Sequence, residues 1–273
     1  MRPAIKIPII LVVIIVGLAV LFYPDISNWY NSRAHAELLL NHNEELAGMR
    51  AEYVQSHRQR AHAFNESLMH ITAFDGTAAR HHDYESILNI GGVMAVVEIP
   101  AINVRLPVFH TTSHETLLRG VGHLENSSLP IGGVGTHSVL TAHSGLAAHR
   151  LFTDLEELGV GQLFFIQVLG ETLAYQVDQR RVVLPHEIDD IRILPGADHV
   201  TLITCTPYAV NSHRLLVRGI RVPYEPGMEE LIESVLPEEI RVLDMRIKIV
   251  AGILGLLLLV VVIRLLVGLK KRK

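Results

Sequence analysis

A mainly β domain, closed or partly closed into a barrel, is the fold class this sequence predicts, with a helical stalk before it and an apolar helix at each flank. Three observations carry that reading. Between Gly91 and residue 223, short β-branched runs alternate with Gly and Pro. Residues 30–70 are rich in Ala, Glu, Arg, His and Leu, with no Pro. Residues 4–22 and 249–269 are almost wholly apolar.

The first apolar span, from Ala4 to Phe22, is broken only by Lys6. As a helix it measures about 28 Å, enough to cross a bilayer. Ala19-Val20-Leu21 does not offer a small-x-small cleavage site, so an uncleaved anchor is expected rather than a signal peptide. The second span contains Arg264, close enough to the basic tail Lys270-Lys-Arg-Lys273 to snorkel toward it. Arg2 and Lys6 flank the first span as the tail flanks the second. Positive flanks stay in the cytoplasm, which places both termini inside and residues 24–248 outside the cell membrane.

Within the stalk, 30–70, Leu39, Leu46 and Tyr53 recur every seven residues with Met49 between them. That spacing gives one apolar helix face, and a helix or helix pair lying against the main domain. Residues 71–90 have no clear period and carry Gly76, and read as an exposed loop between helix and sheet. The domain at 91–223 shows six runs with strand character: 93–99, 138–142, 163–168, 172–177, 200–204 and 214–220. Two short helices are expected, around His114–Arg119 and Phe152–Leu158.

A net charge of −4 and a pI near 6.5 argue against a nucleic-acid partner. The chain has 16 histidines but no His-Glu-x-x-His pair, so neither a metal nor a cofactor is expected.

Cys205 is the only cysteine, so it has no intramolecular disulfide partner and is either buried filler or a reagent. It closes an apolar run and opens a Thr-Pro-Tyr turn, where a side chain leaves a sheet to meet substrate. A nucleophilic thiolate needs a base or cation nearby. His143, where a strand becomes a loop, is the best candidate; His213 is the rival, and His110, His123, His137 and His149 are weaker. If the strands on either side of the loop 206–212 are neighbours, about 4.8 Å apart, the Arg214 guanidinium reaches past Cys205. It can hold a carbonyl or an oxyanion there. Arg218, two residue pairs further along the same strand face, is the poorer choice.

At these residues the sequence resembles a family. Thr201-Leu-Ile-Thr-Cys-Thr-Pro-Tyr208, Asn211-Ser-His-Arg-Leu-Leu-Val-Arg-Gly219 and Leu140-Thr-Ala-His-Ser-Gly145 look like a sortase. Glu98-Ile-Pro-Ala-Ile-Asn-Val-Arg-Leu-Pro-Val-Phe-His110, Gly120-Val-Gly-His-Leu-Glu125 and Leu151-Phe-Thr-Asp-Leu155 add to it. The likeness is to the class C, pilin-polymerising sortases of Gram-positive bacteria and covers roughly residues 85–222. It implies a sortase-type barrel of about eight strands. It also implies Cys205 as nucleophile, His143 as general acid and base, and Arg214 as the carbonyl or oxyanion donor. The implied reaction cleaves an Leu-Pro-x-Thr-Gly-like sorting signal between Thr and Gly through a thioacyl enzyme, which a lysine amine of a pilin subunit resolves.

Two departures stand out. The family pattern Thr-Gly-His-Arg-Gly is here Thr-Ala-His-Ser-Gly, with Ala142 and Ser144 in the changed places. The family's lid carries Asp-Pro-aromatic, whereas this chain has Phe74-Asp75-Gly76. Phe74 and Asp75 are the candidate lid residues over Cys205 and Arg214. A hydrolytic cysteine peptidase and a non-catalytic membrane-anchored binding barrel are the alternative function classes.

Overall fold

In the computed structural model, residues 3–68, 83–146 and 149–228 are described, together with the isolated Gly252 and Gly255; side chains are described from Val16 onward. The chain divides into two units, 1–229 and 230–273. The first is described below. Apart from those two glycines, the second span, 249–269, lies outside the described residues, as do the candidate lid residues Phe74 and Asp75.

Eight strands form the barrel: β1 (Ala95–Ile99), β2 (Val104–Phe109), β3 (Val121–His123), β4 (Thr136–Thr141), β5 (Leu163–Val168), β6 (Glu171–Val183), β7 (Asp198–Thr206) and β8 (His213–Val222). They close in the order β1-β2-β3-β4-β7-β8-β6-β5. Two neighbour pairs are parallel, β2 with β3 and β4 with β7; the rest are antiparallel. A closed sheet has no edge to leave unpaired. Inward side chains such as Val97, Leu140, Phe164, Leu202 and Val217 fill its interior, with Phe164 stacked on Tyr175. Gly219 lies where a Cβ would come within 2.5 Å of Phe164, so only a glycine lets that ring lie against β8.

Two strands lack a clear sequence signal. β2 contains Pro107, which has no N–H for a ladder and sits just before the residues that pair with β3. β3 is three residues long, too short to show a period. The expected short helices are α3 (His114–Arg119), capped by the Ser113 hydroxyl accepting from Thr116 N–H, and a 3-10 turn at Thr153–Glu157.

The N-terminal segment forms two helices, α1 (Pro3–Gly48) and α2 (Ala51–Leu68). Both dock on the barrel. Leu39 is buried, and Ala61, Phe64 and Leu68 enter the core. The Asn65 amide exchanges two hydrogen bonds with the Leu129 backbone, at 3.1 and 2.7 Å. Truncating Phe64 to Ala would cost about 3–5 kcal/mol. The seven-residue repeat does not survive the helix break at 49–50. Tyr53 falls past the break and turns to solvent, 57% exposed, while Leu46 stays against the core. Among the described residues, no helix is long and apolar enough to cross a membrane. Most side chains of the 4–22 span lie outside them.

The reading of 71–90 as exposed also needs correction over its described part. Tyr84, Ile87, Leu88 and Ile90 are buried. The Tyr84 hydroxyl donates to His123 Nδ1 at 2.8 Å, and Leu88 N–H donates to His57 Nδ1 at 3.1 Å. Isolated apolar residues without a period gave no sign of this; they seal the gap between α2 and the barrel.

Candidate active site

Strand β7 runs between β4 and β8, and its last residues form the centre of the site. Cys205 is the penultimate residue of β7 and is half-buried. Arg214 is its register partner on β8. Directly opposite residues of neighbouring strands share a face, so thiol and guanidinium project from the barrel on the same side. His143 follows β4 by two residues and has the same parity as Val139 and Thr141 on that outer face.

The turn carrying His143 is pinned at several points. Ala142 N–H donates to Ile203 O at 3.1 Å, and Phe152 N–H donates to His143 O at 3.1 Å. Gly145 N–H donates to Thr153 Oγ1, also at 3.1 Å. Gly145 has φ +74°, the left-handed region, and Tyr208 packs where a side chain would begin. The backbone is therefore fixed while the imidazole is left open: among the described residues neither ring nitrogen of His143 has a hydrogen-bond partner. Burial, and then the charge of His114, hold its pKa below the ordinary 6.5, with the two rings 6.3 Å apart. Both effects favour the neutral imidazole, the form able to accept a proton.

Arg214 donates only from Nη1, to the carbonyls of Asn211 and His213 at 3.2 and 3.0 Å. Among the described residues it has no carboxylate partner, and Nε and Nη2 make no hydrogen bond. Arg218 is committed elsewhere, donating from Nε and Nη2 to both carboxylate oxygens of Asp178, at 3.1 and 2.6 Å.

The other candidate histidines lie away from this arrangement or are bonded elsewhere. His213 pairs with Thr206, one residue past the cysteine, and so faces the opposite side of the sheet. His110 is held by Ile87 O at 2.7 Å. His123 and His137 are buried and pushed down to about 4 by desolvation. His149 lies beside His35 on α1.

A groove of about 320 Å³ opens from Arg214 along the outer face of the sheet. Its floor is Val139 and Thr141 of β4, Ile203 of β7 and Leu216 of β8. One wall is the loop after β6, with Leu184, Ile188 and Ile191; the other is Thr112 and Leu117 of the α3 region. Along β4 the floor runs from Val139 to Thr141, about 7 Å, and ends two residues before His143; of the three candidate residues only Arg214 lines it. This wall has no direct signal in the sequence, although apolar side chains at 183–191 amid charged ones are the trace it leaves. A larger cleft, about 520 Å³, lies between α1 and β2 and touches none of the three candidate residues.

Comparison with known proteins places this geometry. A model of the sortase domain matches residues 97–222. The crystal structure of Streptococcus agalactiae sortase C1 is 41% identical over 71% of this chain and 99% of that one, with a TM-score of 0.66. A structure of Streptococcus pneumoniae sortase C, described for its catalysis and pilin substrate specificity, is 40% identical over 69% and 97%, with a TM-score of 0.64. Sortase A of Streptococcus agalactiae serotype III is 24% identical over 72% of this chain and 77% of its own length.

Proposed function

The chain belongs to the sortase family of cysteine transpeptidases, and on that premise we propose that it joins the sorting signal of a pilin or surface protein to a lysine amine of a pilin subunit. The observation that supports this most is the register pairing of Cys205 with Arg214, whose side chain lines an apolar groove, with the His143 turn pinned to the end of β7.

In this reading the groove takes the apolar part of an Leu-Pro-x-Thr-Gly-like segment and delivers the Thr carbonyl to Cys205. The Cys205 thiol gives its proton to the neutral His143 imidazole, and Sγ attacks the carbonyl carbon. The unoccupied side of the Arg214 fork stabilises the oxyanion as charge develops. The carbon–nitrogen bond breaks, His143 protonates the departing Gly amine, and a thioacyl enzyme remains. The lysine amine then attacks the thioester, its proton passes to His143, and Sγ leaves as the new amide forms. No cofactor enters. The apolar spans 4–22 and 249–269 are proposed to anchor the chain with its barrel outside and both termini in the cytoplasm. Phe74 and Asp75 are proposed as lid contacts for Cys205 and Arg214.

The test incubates the full chain in detergent with a sorting-signal peptide and a lysine-bearing acceptor, followed by mass spectrometry. The expected product is the donor, shortened at Thr, amide-linked to the acceptor. Only free Thr carboxylate would mark a peptidase. An unreactive donor, with no thioacyl mass on Cys205, would mark a binding barrel.

A further inference from the structure

The parallel ladder between β4 and β7 stops short of the two side chains it has to align. Its last paired residues are Thr141 and Ile203, and the backbone bond beyond them runs from Ala142 N–H to Ile203 O. A ladder continued by two residues would bring the N–H of residue 144 to the carbonyl of Cys205. The chain bends at Ser144 instead. The Ser144 hydroxyl makes that contact, donating from Oγ to Cys205 O at 2.5 Å. Thr204 answers in the other direction, its Oγ1 donating to Ala142 O at 2.9 Å. Ser144 is 8% exposed and Thr204 is 1% exposed, so both hydroxyls exchange these bonds with little competition from water.

We propose that Ser144 is a positioning residue for the Cys205–His143 pair, with Thr204 as its counterpart, the two hydroxyls carrying the β4–β7 register past the end of the backbone ladder. The proposal rests on the assignment of Cys205 as nucleophile and His143 as its acid–base partner. Ser144 follows His143 and holds the carbonyl of Cys205; Thr204 precedes Cys205 and holds the carbonyl of Ala142, which precedes His143. The two bonds bracket the reacting side chains and fix the peptide planes from which Sγ and the imidazole project. Each hydroxyl proton is committed to a main-chain carbonyl, so neither reacts. Without Ser144 Oγ, the Cys205 carbonyl loses its partner on the β4 side, and beyond Ala142, which stays bonded to β7, the imidazole turn keeps only its bonds to the 152–153 segment.

The test measures kcat and KM separately for the full chain carrying Ser144→Ala, Ser144→Thr, Thr204→Val or Thr204→Ser, per folded molecule. A misplacement near 1 Å lowers kcat strongly without weakening binding, so Ser144→Ala and Thr204→Val should lose about 10- to 100-fold in kcat with KM within about twofold. Ser144→Thr and Thr204→Ser keep the donor and should return to within about threefold of the parent. Normal kcat in the Ala and Val variants would overturn the proposal. So would equal impairment in the hydroxyl-bearing variants, because the role would then be one of volume. If Ser144→Ala does not fold, the Thr204 pair decides. Turnover by Cys205→Ala in the same assay would instead overturn the underlying site assignment.

Discussion

The outer face of β4, β7 and β8 carries a histidine and an arginine at both ends, with a threonine between them at one end and the cysteine at the other. Near the start of β4 lie His137, Thr201 and Arg218; past its end lie His143, Cys205 and Arg214. At the first end the histidine, the threonine and the arginine are all satisfied. His137 donates from Nδ1 to Arg192 O at 2.9 Å and takes a bond at Nε2 from Thr201 Oγ1 at 2.7 Å, while Arg218 is chelated by Asp178. At the second end the imidazole has no partner among the described residues, and the guanidinium meets only main-chain carbonyls. The apolar groove lies between them. A histidine and an arginine on one face therefore do not by themselves make a site. A histidine with both nitrogens claimed holds strands together; one with a fixed backbone and open nitrogens can move protons.

The largest effects should separate the two ends. Cys205→Ala should abolish turnover while the protein folds, since a methyl in place of a thiol leaves packing nearly intact. His143→Ala should lose about 10²- to 10⁴-fold in kcat. His137→Ala should keep kcat per folded molecule within about twofold and lose stability instead, because it orphans the Thr201 hydroxyl and the Arg192 carbonyl. Steady-state kinetics with thermal unfolding would break the comparison if His137→Ala lost turnover at unchanged Tm.

The arginines come next. Arg214→Lys keeps the charge but loses the planar fork, and kcat/KM should fall by about 100-fold or more. Arg218→Lys should change kcat/KM by less than about threefold and lower stability modestly. The reverse pattern would mean that the oxyanion partner is Arg218.

Acid stability sharpens the contrast. His123 and His137 have folded pKa values of about 4 against an ordinary 6.5, lowered first by desolvation. Between pH 6.5 and 4 the unfolded chain binds these protons and the folded chain does not. Their contribution is thus complete above 6.5 and is lost as pH falls toward 4, by up to about 3 kcal/mol for each. Denaturant unfolding across that window should show the slope, and His137→Gln should flatten it. An unchanged slope in that variant would mean that His137 is not held neutral.

The smallest effect concerns the candidate lid. The sequence has Gly76 rather than a φ-fixing Pro after Asp75, and the proposed Asp75–Arg214 contact, as a surface ion pair, would be worth only about 0–1 kcal/mol. Replacing Phe74 and Asp75 together by Ala should speed thiol labelling of Cys205 by less than about threefold. A hundredfold increase would show that these residues close the site firmly.

Much of the barrel was legible because its strands carry dense β-branched runs, and period is a local property. β2 and β3 were not, since Pro107 interrupts one and the other is too short to show alternation. The neighbourhood of Cys205 and Arg214 was legible from the short loop between their strands. The groove wall was not, because Ile188 and Ile191 meet Val139 only through the barrel's closure. Ser144 was visible as a departure from the family pattern, but its bond to Cys205 depends on where the β4 chain bends. Tyr53 misled because a heptad pattern does not reveal the break after Gly48.

The parallel pairing of β4 with β7 also governs when the enzyme becomes dangerous. Parallel strands need a long crossover, here residues 142–197, and such non-local pairings form slowly. Arg214 comes later still in the chain. A nascent molecule holding Cys205 before β8 has joined is an ordinary thiol, with no guanidinium opposite it. With the roles proposed for Cys205 and Arg214, the oxyanion donor arrives only with the last strand of the barrel, so a chain without β8 lacks that part of the machinery.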